Sequence, residues 1–289
     1  MTKILAAALL LAVACGGSQS SLESSGGPQS SSEVDEPLLD YDPSKLVKFS
    51  LLASTATVAK DERLTLGAQF EIADGWHIYW LNPGDSGLPT KIKLEPTEGL
   101  AIDAPSFPGP VRFDSAGDII NYGYRGTLLV PMDATVSSEG ASFTVNASAS
   151  WLACREDACV PGKGSASITL GDGANLAKVN PDTLNAAVTS LPQPLEAIST
   201  LGGKHATSPG FGESELKIDL PAGHTLELFP RIEKLVQEFS QNRDGSGEHY
   251  RWRLNAPNEE DSLAILSVND GRSTHFYSIT TATLQTLNQ

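Results

Sequence analysis

The chain is 289 residues long and carries 35 acidic side chains against 20 basic ones, for a formal charge of −15, with 40% of its residues hydrophobic. This excess of acid excludes a nucleic-acid surface and a basic membrane-docking face. Length and apolar content suffice for a sizeable buried core.

Met1 to Ala14 has one cation, Lys3, followed by an apolar run from Ile4 to Val13. That run has the length of a signal-peptide core and is too short to span a bilayer, so the predicted element is an export signal over residues 1–14. It ends in Leu11-Ala12-Val13-Ala14-Cys15-Gly16, which resembles a bacterial lipobox, with Ala12 where the motif prefers Leu. The resemblance implies lipidation at Cys15, a membrane contact through the lipid anchor only and, from Gly16, an outer-membrane destination. The alternative is that Cys15 is an ordinary residue of a discarded peptide. Residues 15–45 are rich in Ser and Gly, with acidic residues and little apolar content before Leu38 and Leu39. Such a composition cannot offset its ordering entropy, and a flexible tether is predicted.

From Leu46 onward the hydrophobic period is two. Leu64, Leu66, Ala68, Phe70 and Ile72 alternate with Thr65, Gly67, Gln69 and Glu71; Phe143, Val145, Ala147, Ala149 and Trp151 repeat the pattern on polar partners. Shorter runs lie at 48–54, 91–94, 127–132 and 165–170, separated by Pro83-Gly84, Pro108-Gly109-Pro110 and Pro161-Gly162. Half-buried strands punctuated by turns predict an all-β protein with an immunoglobulin-like β-sandwich over residues 46–172.

Cys15 apart, the cysteines are Cys154 and Cys159, in Trp151-Leu152-Ala153-Cys154-Arg155-Glu156-Asp157-Ala158-Cys159-Val160-Pro161-Gly162. Their spacing is too wide for a thioredoxin-type C-x-x-C, and no second cysteine pair or histidine pair completes a zinc set. A local disulfide at a hairpin tip, in the oxidising cell envelope, is the natural inference. Closing so short a loop contributes only about 2 kcal/mol, a weak staple for a chain of this size. Two readings stand: a structural staple, or a reversible dithiol, since short strained loops open more easily.

Three separated motifs then carry a specific resemblance: Gly75-Trp76-His77-Ile78-Tyr79-Trp80-Leu81-Asn82-Pro83-Gly84-Asp85-Ser86-Gly87-Leu88-Pro89-Thr90, Asn121-Tyr122-Gly123-Tyr124, and the cysteine segment itself. In this order, over roughly residues 46 to 172, they resemble the N-terminal periplasmic domain of the DsbD and ScsB family of thiol:disulfide interchange proteins. The resemblance implies an immunoglobulin-like redox domain that carries electrons from thioredoxin-like or membrane-embedded reductase proteins to disulfide-containing periplasmic substrate proteins, through mixed disulfides. The chain lacks the polytopic membrane region and thioredoxin-like domain of full-length members, so its reductase must be a separate protein. By matching positions, Cys159 forms the mixed disulfide and Cys154 resolves it. His77 and Tyr79 pack beside the disulfide, and Asp118 to Arg125 forms a cap loop in which Tyr122, with Tyr124 nearby, supplies the covering ring. His77, the one side chain of its motif that titrates near neutral pH, is placed to bias thiolate formation; the plainer alternative is a half-buried strand residue.

Asn82 to Gly87 lacks the context of a phosphate loop or a nucleophile elbow and reads as turn chemistry. Within the connecting region 173–212, Asn180 caps a short helix that opens with Pro181 and runs to about Leu191, and Ser190 to Gly212 reads as a linker. Runs at 215–220, 225–229, 250–254, 262–268 and 274–283 predict a second, smaller β-rich domain over residues 213–289, for docking or spacing. Its His205, His224, His249 and His275 have no ligand spacing. No bound organic cofactor and no resident metal is implied. The competing function is a binding protein whose cysteines are a staple or Cu(I) ligands, with His77 as a third donor.

Overall fold

Alternation along the two longest predicted strands fixes the first core. The computed structural model of the chain describes residues 42–115, 117–140, 142–171, 180–209, 213–255 and 262–285. The predicted signal peptide, Cys15 and most of the predicted tether lie outside the described residues. Asp42, whose side chain accepts a hydrogen bond from the Ser44 N–H, caps the single turn α1 (Pro43–Leu46).

Ten strands follow: β1 (Val47–Ala53), β2 (Arg63–Ile72), β3 (His77–Gly84), β4 (Lys91–Pro96), β5 (Leu100–Ile102), β6 (Val111–Ser115), β7 (Ile119–Tyr124), β8 (Thr127–Val136), β9 (Ser142–Cys154) and β10 (Cys159–Gly171). They form two sheets, one in the order β1-β2-β8-β5 and one in the order β10-β9-β3-β7-β6 with β4 also paired to β9. Leu64, Leu66, Ala68, Phe70 and Ile72 of the first sheet face Phe143, Val145, Ala147, Ala149 and Trp151 of the second, all of them buried. This is the expected immunoglobulin-like sandwich. Phe70 meets Trp151 edge-on at 5.5 Å. Gly162, in register with Trp151, leaves the indole its space, since a Cβ there would stand 2.3 Å from its Nε1.

α2 (Pro181–Thr189) is capped by Asn180, whose Oδ1 accepts the Thr183 N–H at 3.2 Å. Its fully buried Leu184 lies over the outer face of β2 at Gly67, where a Cβ would come within 2.5 Å of the leucine methyl. The predicted solvent face of β2 is therefore partly roofed by this helix.

The remaining strands form a second sandwich. β11 (Gln193–Pro194), β12 (Lys204–Pro209), β13 (Ser214–Leu220), β14 (Thr225–Pro230), β15 (Val236–Asp244), β16 (Gly247–Leu254), β17 (Ser262–Asn269) and β18 (Thr274–Thr280) make sheets β11-β18-β17-β14 and β12-β13-β16-β15, and α3 (Thr281–Gln285) follows. The predicted linker needs correction. Residues 193–209 supply β11, β12 and a 3-10 helix, Leu195–Leu201, whose Leu195 and Ile198 are fully buried in the second core. The predicted last strand likewise ends at Thr280, and its tail is α3.

The outer face of β14-β17-β18 packs on the first sandwich. Phe229 and Ile265 join the first core, the Tyr122 and Phe229 rings meet at 5.2 Å, and Asn82 Nδ2 donates to the Pro230 carbonyl at 2.7 Å.

Candidate redox site

β9 and β10 are paired along their whole length, and the ladder ends with Cys154 opposite Cys159. Antiparallel pairing brings their Cα atoms to 4.1 Å, and the two sulfurs are bonded. The four intervening residues close the turn: the Arg155 N–H donates to the Ala158 carbonyl at 2.9 Å, and the Arg155 guanidinium grips the Asp157 carboxylate at 2.6 and 3.0 Å. That contact holds the Asp157 carboxyl below its ordinary range. The guanidinium also lies over the Trp76 ring, 5.4 Å from its centroid.

The two cysteines occupy different environments. Cys154 is 1% exposed, whereas Cys159, at the open edge of the sheet, is exposed. Residues paired across an antiparallel ladder share a face. Ala153 and Ile78 are paired and point into the core, so Cys154 and its register partner His77 point to the outer face of the same sheet. There Tyr79, two residues along, meets His77 edge-on at 5.2 Å. Phe113 of β6 stacks on His77 at 4.5 Å with rings 21° apart, and the Arg125 guanidinium sits 4.5 Å over the Phe113 centroid.

This outer-face cluster is buried although it lies outside the sandwich core: His77 is 8% exposed, Tyr79 3% and Phe113 6%. Burial, reinforced by the charge of Arg125, lowers the His77 pKa from 6.5 to about 4. His77 is therefore neutral at physiological pH, which corrects the expectation of a side chain titrating near neutrality. Its Nε2 is buried without a hydrogen-bond partner. Burial also pushes the Tyr79 phenol up.

The Asn82–Gly87 turn is the clasp of this cluster. The Asp85 carboxylate accepts the Ile120 N–H at 2.8 Å, and Asn121 Oδ1 accepts both the N–H and the hydroxyl of Ser86 at 3.1 Å. Thr90 Oγ1 donates to the Tyr79 carbonyl at 2.7 Å. Gly87, at φ +101°, lies against the Tyr79 ring, and a Cβ would stand 2.4 Å from it; both the conformation and the space call for glycine.

The predicted cap is corrected by the strand pattern. Ile119–Tyr124 is β7, not a loop, and Tyr124 is in register with Ile78, which places Tyr124 and Tyr122 on the core-facing side, opposite the disulfide. Tyr124 donates its hydroxyl to the Pro108 carbonyl at 2.7 Å, and Tyr122 packs on Phe229. The ring stacked on His77 belongs instead to Phe113, on the neighbouring strand. Its signal in the sequence was the alternation Val111-Arg112-Phe113-Asp114; Arg125 had none. Among the described residues no group of three or more His, Cys, Asp or Glu side chains is placed to hold a metal ion.

Residues 48–170 match the family model described as thiol:disulfide interchange protein DsbD, N-terminal. The crystal structure of the N-terminal periplasmic domain of ScsB from Proteus mirabilis aligns at a TM-score of 0.52 with 18% identity, covering 81% of this chain and 91% of that one. That coverage takes in more than one sandwich, and the likeness is one of fold. The reduced DsbD N-terminal domain from Neisseria meningitidis aligns at 0.31 with 16% identity, covering 46% and 91%. The complex between the DsbD and PilB N-terminal domains from the same organism aligns at 0.25 with 17% identity, covering 40% and 79%. The search of curated proteins gave no match.

Proposed function

Residues 48–170 form a domain of the DsbD N-terminal family, and on that premise we propose that the chain carries electrons through a reversible Cys154–Cys159 disulfide. Its partners in this reading are a separate thioredoxin-like or membrane-embedded reductase on one side and disulfide-containing substrate proteins of the cell envelope on the other. The observation that carries the reading is the asymmetry of the pair, with Cys159 exposed and Cys154 1% exposed.

Reduction starts when a thiolate of the reductase attacks Sγ of the exposed Cys159. A mixed disulfide forms and the electron pair leaves on Cys154. The second thiolate of the reductase then attacks its own sulfur in the mixed disulfide, freeing Cys159 and leaving both cysteines reduced. In the reverse sense, the Cys159 thiolate attacks a substrate disulfide. Cys154, held in register 4.1 Å away at Cα, then attacks Cys159 Sγ and expels the reduced substrate thiolate. Two electrons pass in each cycle. Cys154 stays buried beside its register partner His77, on which Phe113 and Tyr79 pack, and the exposed Cys159 takes the partner.

Lipidation at Cys15 and an outer-membrane site belong to the same reading and rest on the lipobox-like sequence; the intact mass of the mature protein tests them. Among the described residues no helix is long and apolar enough to cross a membrane.

The test is covalent trapping. Cys154→Ser, incubated with a thioredoxin-like dithiol protein or with envelope proteins, should accumulate adducts through Cys159 that a reductant dissolves, and Cys159→Ser should accumulate few. Equal trapping by both variants would remove the assigned roles. Absence of trapping, with a bond that resists every dithiol offered, would leave Cys154–Cys159 as a staple.

A further inference from the structure

We propose that His77 is the polar partner of Cys154: its buried ring nitrogen hydrogen-bonds the Cys154 thiolate when the disulfide opens and holds it until that sulfur attacks again. The proposal rests on the redox reading above and assigns within it which sulfur is served, and by what.

Three observations meet at one place. His77 and Cys154 are register partners on adjacent strands with side chains on one face, a relation that sets Cβ atoms about 5 Å apart. Both are buried, so a thiolate formed on Cys154 meets little water. Finally, His77 Nε2 has no partner while the disulfide is intact. Leaving a buried polar nitrogen unmatched is unfavourable. A thiolate appearing beside it removes that cost while itself gaining a donor. The need for such a donor is specific to Cys154, because water can serve the exposed Cys159.

Other groups also lie around His77. Tyr79 touches it edge-on from the same strand, Phe113 covers its face without a polar atom, and Arg125 sits beyond the Phe113 ring. Arg155, in the hairpin turn, is engaged with Asp157 and Trp76. Neutral His77 carries one ring proton, so it donates to a thiolate without first being charged. The steps balance. Attack on Cys159 Sγ forms one S–S bond and breaks another, the electron pair stays on Cys154 Sγ, and the His77 N–H bonds to it. In the return step the Cys154 thiolate bonds Cys159 Sγ, the electron pair of the broken mixed disulfide leaves on the partner's sulfur, and the His77 N–H is released.

The experiment uses the full chain with Cys159→Ser, which leaves Cys154 as the free thiol of the site. The pH profile of its alkylation by iodoacetamide, read on the Cys154 peptide by mass spectrometry, gives the thiol pKa. His77→Phe, which keeps a ring for the Phe113 stack but no donor, should raise that pKa by at least about one unit, a tenfold smaller thiolate fraction below it. His77→Gln, which restores a donor, should recover part of the shift. An unchanged profile in His77→Phe overturns the proposal. Should His77→Phe not fold, the unsubstituted ring decides the matter: with Cys159→Ser alone, the His77 ring resonances should follow the ionisation of Cys154, and a ring blind to it overturns the proposal equally. No redox partner takes part, so this result is independent of the trapping experiment. A shifted profile with no trapping would leave the site chemistry standing and remove the carrier role.

Discussion

His77 is in effect a buried base kept uncharged. Its pKa of about 4 lies below the ordinary 6.5 because the ring is desolvated and faces Arg125. In the unfolded chain the same ring takes up its proton near 6.5. Between the two values the unfolded state binds more protons, so stability rises with pH through this window and falls as acid is added. At pH 5 the term amounts to about 2 kcal/mol at 1.36 kcal/mol per unit. Parent and His77→Phe share the remaining titrating groups, so the difference between their urea-unfolding free energies should change by about this amount between pH 7.5 and pH 5, with the parent losing more. A difference that stays constant across that range would mean that His77 is open to protonation in the folded state. Such a result would also weaken the case for a buried pocket around Cys154.

At the scale of elements, what was legible depended on burial pattern. β2 and β9 could be read directly because a single face of each lines the core, giving Leu64 to Ile72 and Phe143 to Trp151 a strict period of two. β15 could not. All nine of its residues are exposed, and it is held by its ladder to β16 and by side-chain contacts such as Arg243 with Glu248 rather than by burial. The candidate site was half legible. Cys154, Cys159, His77 and Tyr79 stand together in local motifs, but Phe113 enters from another strand, and the choice between Phe113 and Tyr122 turns on face, which only the register to β3 decides. The misread linker has a related cause. Leu195 and Ile198 are three residues apart among polar neighbours, too short a stripe to count as an element, yet both are fully buried. Ile198→Ala should therefore cost the second sandwich about 2–5 kcal/mol, the usual range for a buried isoleucine. Faster amide exchange across β13 and β16 would register it, and exchange unaltered there would return this stretch to linker status.

In the whole molecule the β6–β7 hairpin belongs to both sandwiches. Its outer face carries Phe113, stacked on His77 beside Cys154. Its other face carries Tyr122, packed on Phe229, and Arg112, 3.5 Å from Glu227. The second sandwich therefore braces from behind the hairpin whose outer face stacks on His77, the register partner of Cys154. The two contacts are unequal. Arg112 and Glu227 are each more than a third exposed, and a pair of that kind contributes about 0–1 kcal/mol. Phe229 is 1% exposed, and truncating such a ring removes about 3–5 kcal/mol of packing. Phe229→Ala should free the hairpin and increase several-fold the rate at which a small thiol reduces the disulfide, and Glu227→Gln should leave that rate near the parent value. Reduction kinetics followed by thiol labelling at Cys154 measure both. Had the second sandwich only a spacing role, loosening β6 and β7 in Phe229→Ala, visible as faster amide exchange there, would leave the reduction rate unchanged. The predicted coupling requires the exchange and the reduction to accelerate together.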